Sequence, residues 1–254
     1  MNISPTHKHI ATVSNFEDLV NTPFRGEINA LCWERKLVGD FKEIVDKLEC
    51  LENITVVDEE DLLDLDLSEQ GKLAREILIN DMKMLTEHGA APVLNVIKCY
   101  ERDDDFFPTD VYSYHVDRSP IPSDTFLCTY AGASSDFVAN EQAVQKILIP
   151  EIRQELRNRF DGREEDFEDY LIENFYDLHY QALHDAEPHV LGLGHLWRLA
   201  IDHPEQQVPP CLHRAPKENP GEYRLLLICW LIANYKLQIE DWRLKIEKWL
   251  LSVR

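Results

Sequence analysis

Between residues 91 and 132 the sequence breaks into short apolar, β-branched and aromatic runs. These are "APVLNVIKCYE" (91–101), "VYSYHVD" (111–117) and "DTFLCTYAG" (124–132), parted by Asp- and Pro-rich turns. Branched and aromatic side chains suit a pleated surface, and Asp and Pro interrupt it, so each run reads as a strand. The pattern resumes after an acidic stretch over 140–185 that reads as helical. There "HVLGLGHLWRLAI" (189–201) reads as a strand kinked at its glycines, "QVPPCLHRAP" (207–216) as extended chain and "EYRLLLICWLI" (222–232) as a buried strand. So many short strands demand a sheet-based core, and with the flanking helices the expected class is α+β.

The first 90 residues read differently. Residues 1–26 resemble a leader with one short helix, for which Ser14 and Glu17 offer a capping box. "INALCW" (28–33) and "NITVV" (53–57) read as short strands, and "GDFKEIVDKLEC" (39–50) as a helix. The clearest helix follows, with Ser68 as its cap, apolar residues at 73, 77, 78, 82 and 85, and Gly89 as its stop. "IEDWRLKIEKWLLSVR" (239–254) has the pattern of an amphipathic helix. There is no internal repeat and no clear linker. The expectation is one domain over 1–254: a helical N-terminal part (1–90), a β-rich core (91–232) with a helical insertion at about 140–185, and a C-terminal helix over 237–254.

The chain carries 47 acidic and 26 basic residues, for a formal charge of -21. Such a surface repels phosphate backbones and anionic lipid, which argues against nucleic acid and membrane surfaces as partners. The acidic clusters over 56–70 and 161–174 read as solvated faces. The N-terminus lacks a basic segment followed by an apolar one, so no secretory signal is expected. The longest apolar runs are too short to span a bilayer. The six cysteines lie scattered at 32, 50, 99, 128, 211 and 229 with no CxxC spacing. Buried free thiols in a reducing cytoplasm explain them better than a disulfide framework.

In extended chain, residues two apart share a face, so His115 and Asp117 in "YSYHVD" can aim an imidazole nitrogen and a carboxylate oxygen at one point. This suits two neighbouring positions of an octahedral metal, but such a pair is common and a third ligand is needed. His213 in "CLHRAP" is the best candidate, 96 residues after Asp117. Two histidines and a carboxylate make the facial triad of non-haem iron(II) oxygenases, which leaves positions open for co-substrate and oxygen. Arg224 follows His213 by eleven residues, and a guanidinium binds the far carboxylate of a 2-oxo acid through paired hydrogen bonds.

The order HxD…H…R resembles that of the 2-oxoglutarate- and iron(II)-dependent oxygenase superfamily. That resemblance implies a double-stranded β-helix (jelly-roll, cupin-like) core. More narrowly, "INALCWERKL" (28–37), "YHVDRSPIPSDTFLCTYAGASSDFVANE" (114–141) and "CLHRAPKENPGEYRLLLIC" (211–229) resemble a bacterial family known as the domain of unknown function 1826. These blocks make up roughly a quarter of the chain. That family brings no settled activity, so it bears on the fold more than on the reaction. Its members usually place a threonine and a glutamate after the glycine of the second block, where this chain has Ser135 and Asp136.

The superfamily resemblance implies that His115, Asp117 and His213 hold Fe(II). It implies that Arg224 pairs with 2-oxoglutarate as co-substrate, and that Tyr112, Tyr114 or Thr129 adds a hydroxyl to it. The substrate would be a small molecule or a protein side chain. Two other readings stay open: a cupin-like protein that senses or handles metal without oxygenase activity, and a non-catalytic scaffold.

Each residue also has a plainer reading. His115 and Asp117 can form a hydrogen-bonded pair on a strand face, His213 and Arg214 a loop pair, and Arg224 an ordinary ion pair. Arg214 is the rival for any carboxylate. His195 and His203 read as structural, and His179, His184 and His189 as surface residues. "GLGHLW" lacks the rest of a phosphate loop, and no GxSxG occurs.

Overall fold

The computed structural model describes residues 2–3, 8–50 and 52–230. The expected C-terminal helix lies outside the described residues.

Two sheets and a helical layer make up the fold. The larger sheet begins at one edge with β1 (Asn2–Ile3), β2 (Ile10–Val13) and β3 (Ala30–Trp33). It continues through β12 (Leu196–Ala200), β7 (Asp124–Ala131), β14 (Arg224–Trp230), β5 (Val93–Ile97) and β4 (Ile54–Val57). The smaller sheet runs β11 (His189–Val190), β8 (Asp136–Val138), β13 (Leu212–Arg214), β6 (Tyr114–His115), β10 (His179–Ala182) and β9 (Ala143–Gln145). Every pairing of named strands is antiparallel except β2 with β3.

Strand alternation sorts the larger sheet's side chains into two cores. Phe126, Cys128 and Tyr130 of β7 and Leu225 and Leu227 of β14 turn to one face. There they pack against α1 (Phe16–Asn21), α2 (Phe41–Lys47), α3 (Glu59–Asp64) and α4 (Glu69–Glu87). Leu127 of β7 and Leu226 of β14 turn the other way, toward Phe137 of β8 and Cys211 beside β13. Residues 125, 127 and 129 of β7, and 224 and 226 of β14, therefore line the space between the sheets.

The long helix follows its expectation. Ser68 caps α4 by accepting from the Gly71 amide, and Gly89 ends it at φ 94°. Its buried face carries Ala74, Leu78, Asp81 and Leu85 at helical spacing. Asp81 there receives an Arg35 guanidinium N–H at 2.8 Å and the Tyr130 hydroxyl at 2.6 Å, which satisfies a buried carboxylate.

Several expectations need correction. The cap of α1 is Asn15, which accepts from Asp18, and not Ser14. The N-terminal 90 residues are not purely helical, because β1–β4 extend both edges of the larger sheet. The run 189–201 is two strands in different sheets. Gly192 and Gly194 adopt φ of 78° and 77°, a left-handed geometry that turns the chain between β11 and β12. The stretch 140–185 contains α5 (Pro150–Arg159) and α6 (Phe167–Glu173), but its two ends form β9 and β10 and complete the smaller sheet.

Candidate metal centre

Register places the imidazoles. On the smaller sheet His213 pairs with His115, and His115 with His179, so three histidines line up across β13, β6 and β10. The ring centroids of His115 and His213 are 4.7 Å apart, and those of His115 and His179 are 5.9 Å apart. β6 is only two residues long, so Asp117 lies beyond it in extended chain. It stays fixed because its carbonyl accepts the Asp202 amide at 2.8 Å and Arg118 ion-pairs with Asp177 and Asp202.

One ligand atom from each of His115, Asp117 and His213 lies within 4.8 Å of the others. The His213 Nε2 is 3.8 Å from Asp117 Oδ2. The donor chemistry fits a metal. His115 Nδ1 faces the Ser113 carbonyl at 2.8 Å, and His213 Nδ1 faces the Cys211 carbonyl at 3.2 Å. A nitrogen facing a carbonyl must carry the proton, so both Nε2 lone pairs are free to ligate. Removal from water, with His213 alongside, pushes His115 down to about 4, so it stands neutral at pH 7. Thr125 on β7 donates its hydroxyl to Asp117 and orients the carboxylate. Ligand bonds of about 2.1 Å bring neighbouring donors to about 3 Å, and His213 Nε2 and Asp117 Oδ2 stand 3.8 Å apart.

Arg224 lies on the same inter-sheet face of the larger sheet. Thr125 and Thr129 are four residues apart on β7, or ~13 Å along the strand. Thr125 holds Asp117, and Thr129 accepts from Arg224 at 3.1 Å. Arg224 also donates to Ser135 Oγ at 2.8 Å and Tyr100 at 3.4 Å. Its Nε is buried without a partner, and no carboxylate among the described residues pairs with it. Burial draws its pKa down, opposed by Tyr100. Gly132, at φ 79°, lets the end of β7 approach this arginine. A Cβ there would sit 2.8 Å from the Arg224 Cα.

The other expected residues divide. Thr129 touches Arg224. The Tyr112 hydroxyl receives the Tyr100 amide at 3.0 Å, one residue removed from the guanidinium. Tyr114 packs in the separate cluster with Val116, Val138 and Leu212, and its hydroxyl donates to Asp136 at 2.5 Å. Arg214 is paired with that same Asp136 at 3.0 Å, which removes it as a rival to Arg224. His195 takes the Arg35 amide on Nδ1 at 3.1 Å, a structural role.

His179 is not a surface residue: it is 5% exposed, and its Nδ1 is buried without a partner. Burial, then His115 and Lys146, push it down to about 2. Thr125, Tyr100 and Ser135 were also missed as site residues. Ser135 stood out only as a departure from the resembled pattern.

All six cysteines are free, and Cys32, Cys128, Cys211 and Cys229 are buried. Among the described residues no helix is long and apolar enough to cross a membrane. No family model, curated protein or solved structure matches the chain.

Proposed function

We propose that the protein is a non-haem Fe(II)- and 2-oxoglutarate-dependent oxygenase. The observation that carries this reading is the convergence of His115, Asp117 and His213, drawn from β6, the chain after it and β13.

The winding of the strands supports the double-stranded β-helix. β5 pairs with β14, β6 with β13, β7 with β12, and β8 with β11. These pairings nest like a long hairpin folded on itself. Along the chain they alternate between the sheets, except at the turn from β8 to β11. We read a hairpin rolled in this way as a jelly roll.

His115 and His213 would bind iron through Nε2, each oriented by its Nδ1–H on a backbone carbonyl. Asp117 would supply the anionic ligand, oriented by Thr125. Arg224 would take the distal carboxylate of 2-oxoglutarate, assisted by Thr129 and Ser135. A buried guanidinium lacking a counter-ion is destabilised, and a bound carboxylate relieves it. Bound iron would supply oxygen activation, so that substrate C–H, 2-oxoglutarate and O₂ yield substrate C–OH, succinate and CO₂. The surrounding sheets would exclude water and position the substrate.

Anaerobic loading with Fe(II) and 2-oxoglutarate, followed by oxygen and succinate measurement, tests the proposal. Succinate dependent on iron is expected. Tight metal binding with no turnover of the 2-oxo acid would favour the metal-handling alternative instead.

A further inference from the structure

Asp117 sits at a seam between the two sheets. Residues 116–119 run between two other stretches of chain and are bonded to both. On one side the Val116 amide donates to the Leu178 carbonyl at 3.1 Å. Leu178 ends the short turn Tyr176–Leu178, which leads into β10 of the smaller sheet. On the other side Asp202 donates its amide to the Asp117 carbonyl at 2.8 Å, and its own carbonyl accepts the Ser119 amide at 2.9 Å. Asp202 lies two residues beyond β12 of the larger sheet.

The Arg118 side chain spans both flanks. Its Nε donates to Asp202 Oδ2 at 2.7 Å, and its Nη2 donates to Asp177. Gln145 of β9 donates to the Asp177 carbonyl and fixes that flank further. An isolated exposed ion pair contributes little. Here one planar guanidinium holds two carboxylates, one from the flank of each sheet, and the Asp177 side chain is only 12% exposed. The rigid fork of donors constrains how far apart the two carboxylates stand.

The metal triad needs that separation held. His115 and His213 belong to the smaller sheet, whereas the Asp117 carboxylate is oriented by Thr125 of the larger one. A shift of one sheet against the other at this seam moves the carboxylate relative to the imidazoles. A metal site works when its ligands are held within about 0.5 Å of the productive geometry. His213 Nε2 and Asp117 Oδ2 are 3.8 Å apart, so little slack remains.

We infer that Arg118 is a positioning residue for the metal site: by clamping Asp177 to Asp202 it sets the gap between the sheets at Asp117, and with it the affinity and geometry of the triad. This role rests on the metal reading of His115, Asp117 and His213.

The test titrates the full chain with Co(II), whose visible absorption reports the ligand set. Wild type, Arg118→Gln, Arg118→Lys and Asp117→Asn are compared, with denaturant melts of each metal-free protein. Arg118→Gln should bind Co(II) about 10- to 100-fold more weakly. Its spectrum at saturation should move toward that of Asp117→Asn. Arg118→Lys keeps a cation that reaches one carboxylate, so it should recover part of the affinity. Should Arg118→Gln fail to fold, Asp202→Asn leaves the guanidinium on Asp177 and should weaken binding in the same direction. A general loss of stability would lower the melting midpoint and leave the saturated spectrum as in wild type. That result, or wild-type affinity in Arg118→Gln, would overturn the clamp and leave the triad standing. No Co(II) binding by wild type would overturn the triad and the clamp together.

Discussion

His213 stands opposite His115 in the register of β13 and β6, with the two rings 4.7 Å apart between centroids. Each imidazole has its Nδ1 on a carbonyl two residues back, at Ser113 and at Cys211. Extended chain repeats that arrangement, so one local rule orients both rings.

Metal should therefore stabilise the protein. At a free metal concentration 100-fold above Kd the gain is about 2.7 kcal/mol, and chelator should remove it. Thermal melts with and without chelator measure this. His213→Ala should show no metal-dependent shift. A shift of wild-type size in that variant would place the metal elsewhere.

Thr125 is fully buried, and its hydroxyl donates to Asp117. Thr125→Val keeps the shape and removes the donor, leaving the carboxylate free to turn. Metal affinity is expected to fall by about 10- to 100-fold. A competition titration against a chromogenic chelator reads it, and unchanged affinity would remove Thr125 from the site.

Arg224 makes the opposite sign visible in stability. It is buried with an unpartnered Nε and no carboxylate. Arg224→Met removes that uncompensated charge, so the ligand-free variant should be as stable as wild type or more stable. It should also lose 2-oxoglutarate binding. Denaturant melts and calorimetry on the same preparation check both. A variant that is destabilised and still binds the 2-oxo acid would make Arg224 structural.

Asp81 and Arg35 are a control outside the site, with side-chain exposures of 2% and 8%. Asp81→Ala leaves the guanidinium buried and unpaired and also strips the partner from Tyr130. Denaturant unfolding should show a loss of about 3–5 kcal/mol. Metal stoichiometry should not change, because the pair lies on the helical face of the larger sheet.

Much of the β core was readable in advance, because branched and aromatic runs mark β5, β7 and β14 directly. The HxD pair and the distant histidine and arginine could be named from residue type and order. Which of them face one space depends on the alternation of β7 and β14, which a run such as "RLLLIC" hides because both faces are buried. The break between β11 and β12 was lost for a similar reason: Gly192 and Gly194 read as kinks within a strand, whereas their positive φ values reverse the chain. His179 was hidden because it ends an acidic segment whose composition suggests solvent. Only pairing with β6 shows that it is buried beside His115.

The most direct test is the metal content of the full chain. After anaerobic reconstitution with Fe(II) and removal of the excess, elemental analysis of wild type and His115→Ala is compared. About one iron per wild-type chain, and none in the variant, is the result this account predicts. An iron-free wild type, or equal iron in both, would contradict it.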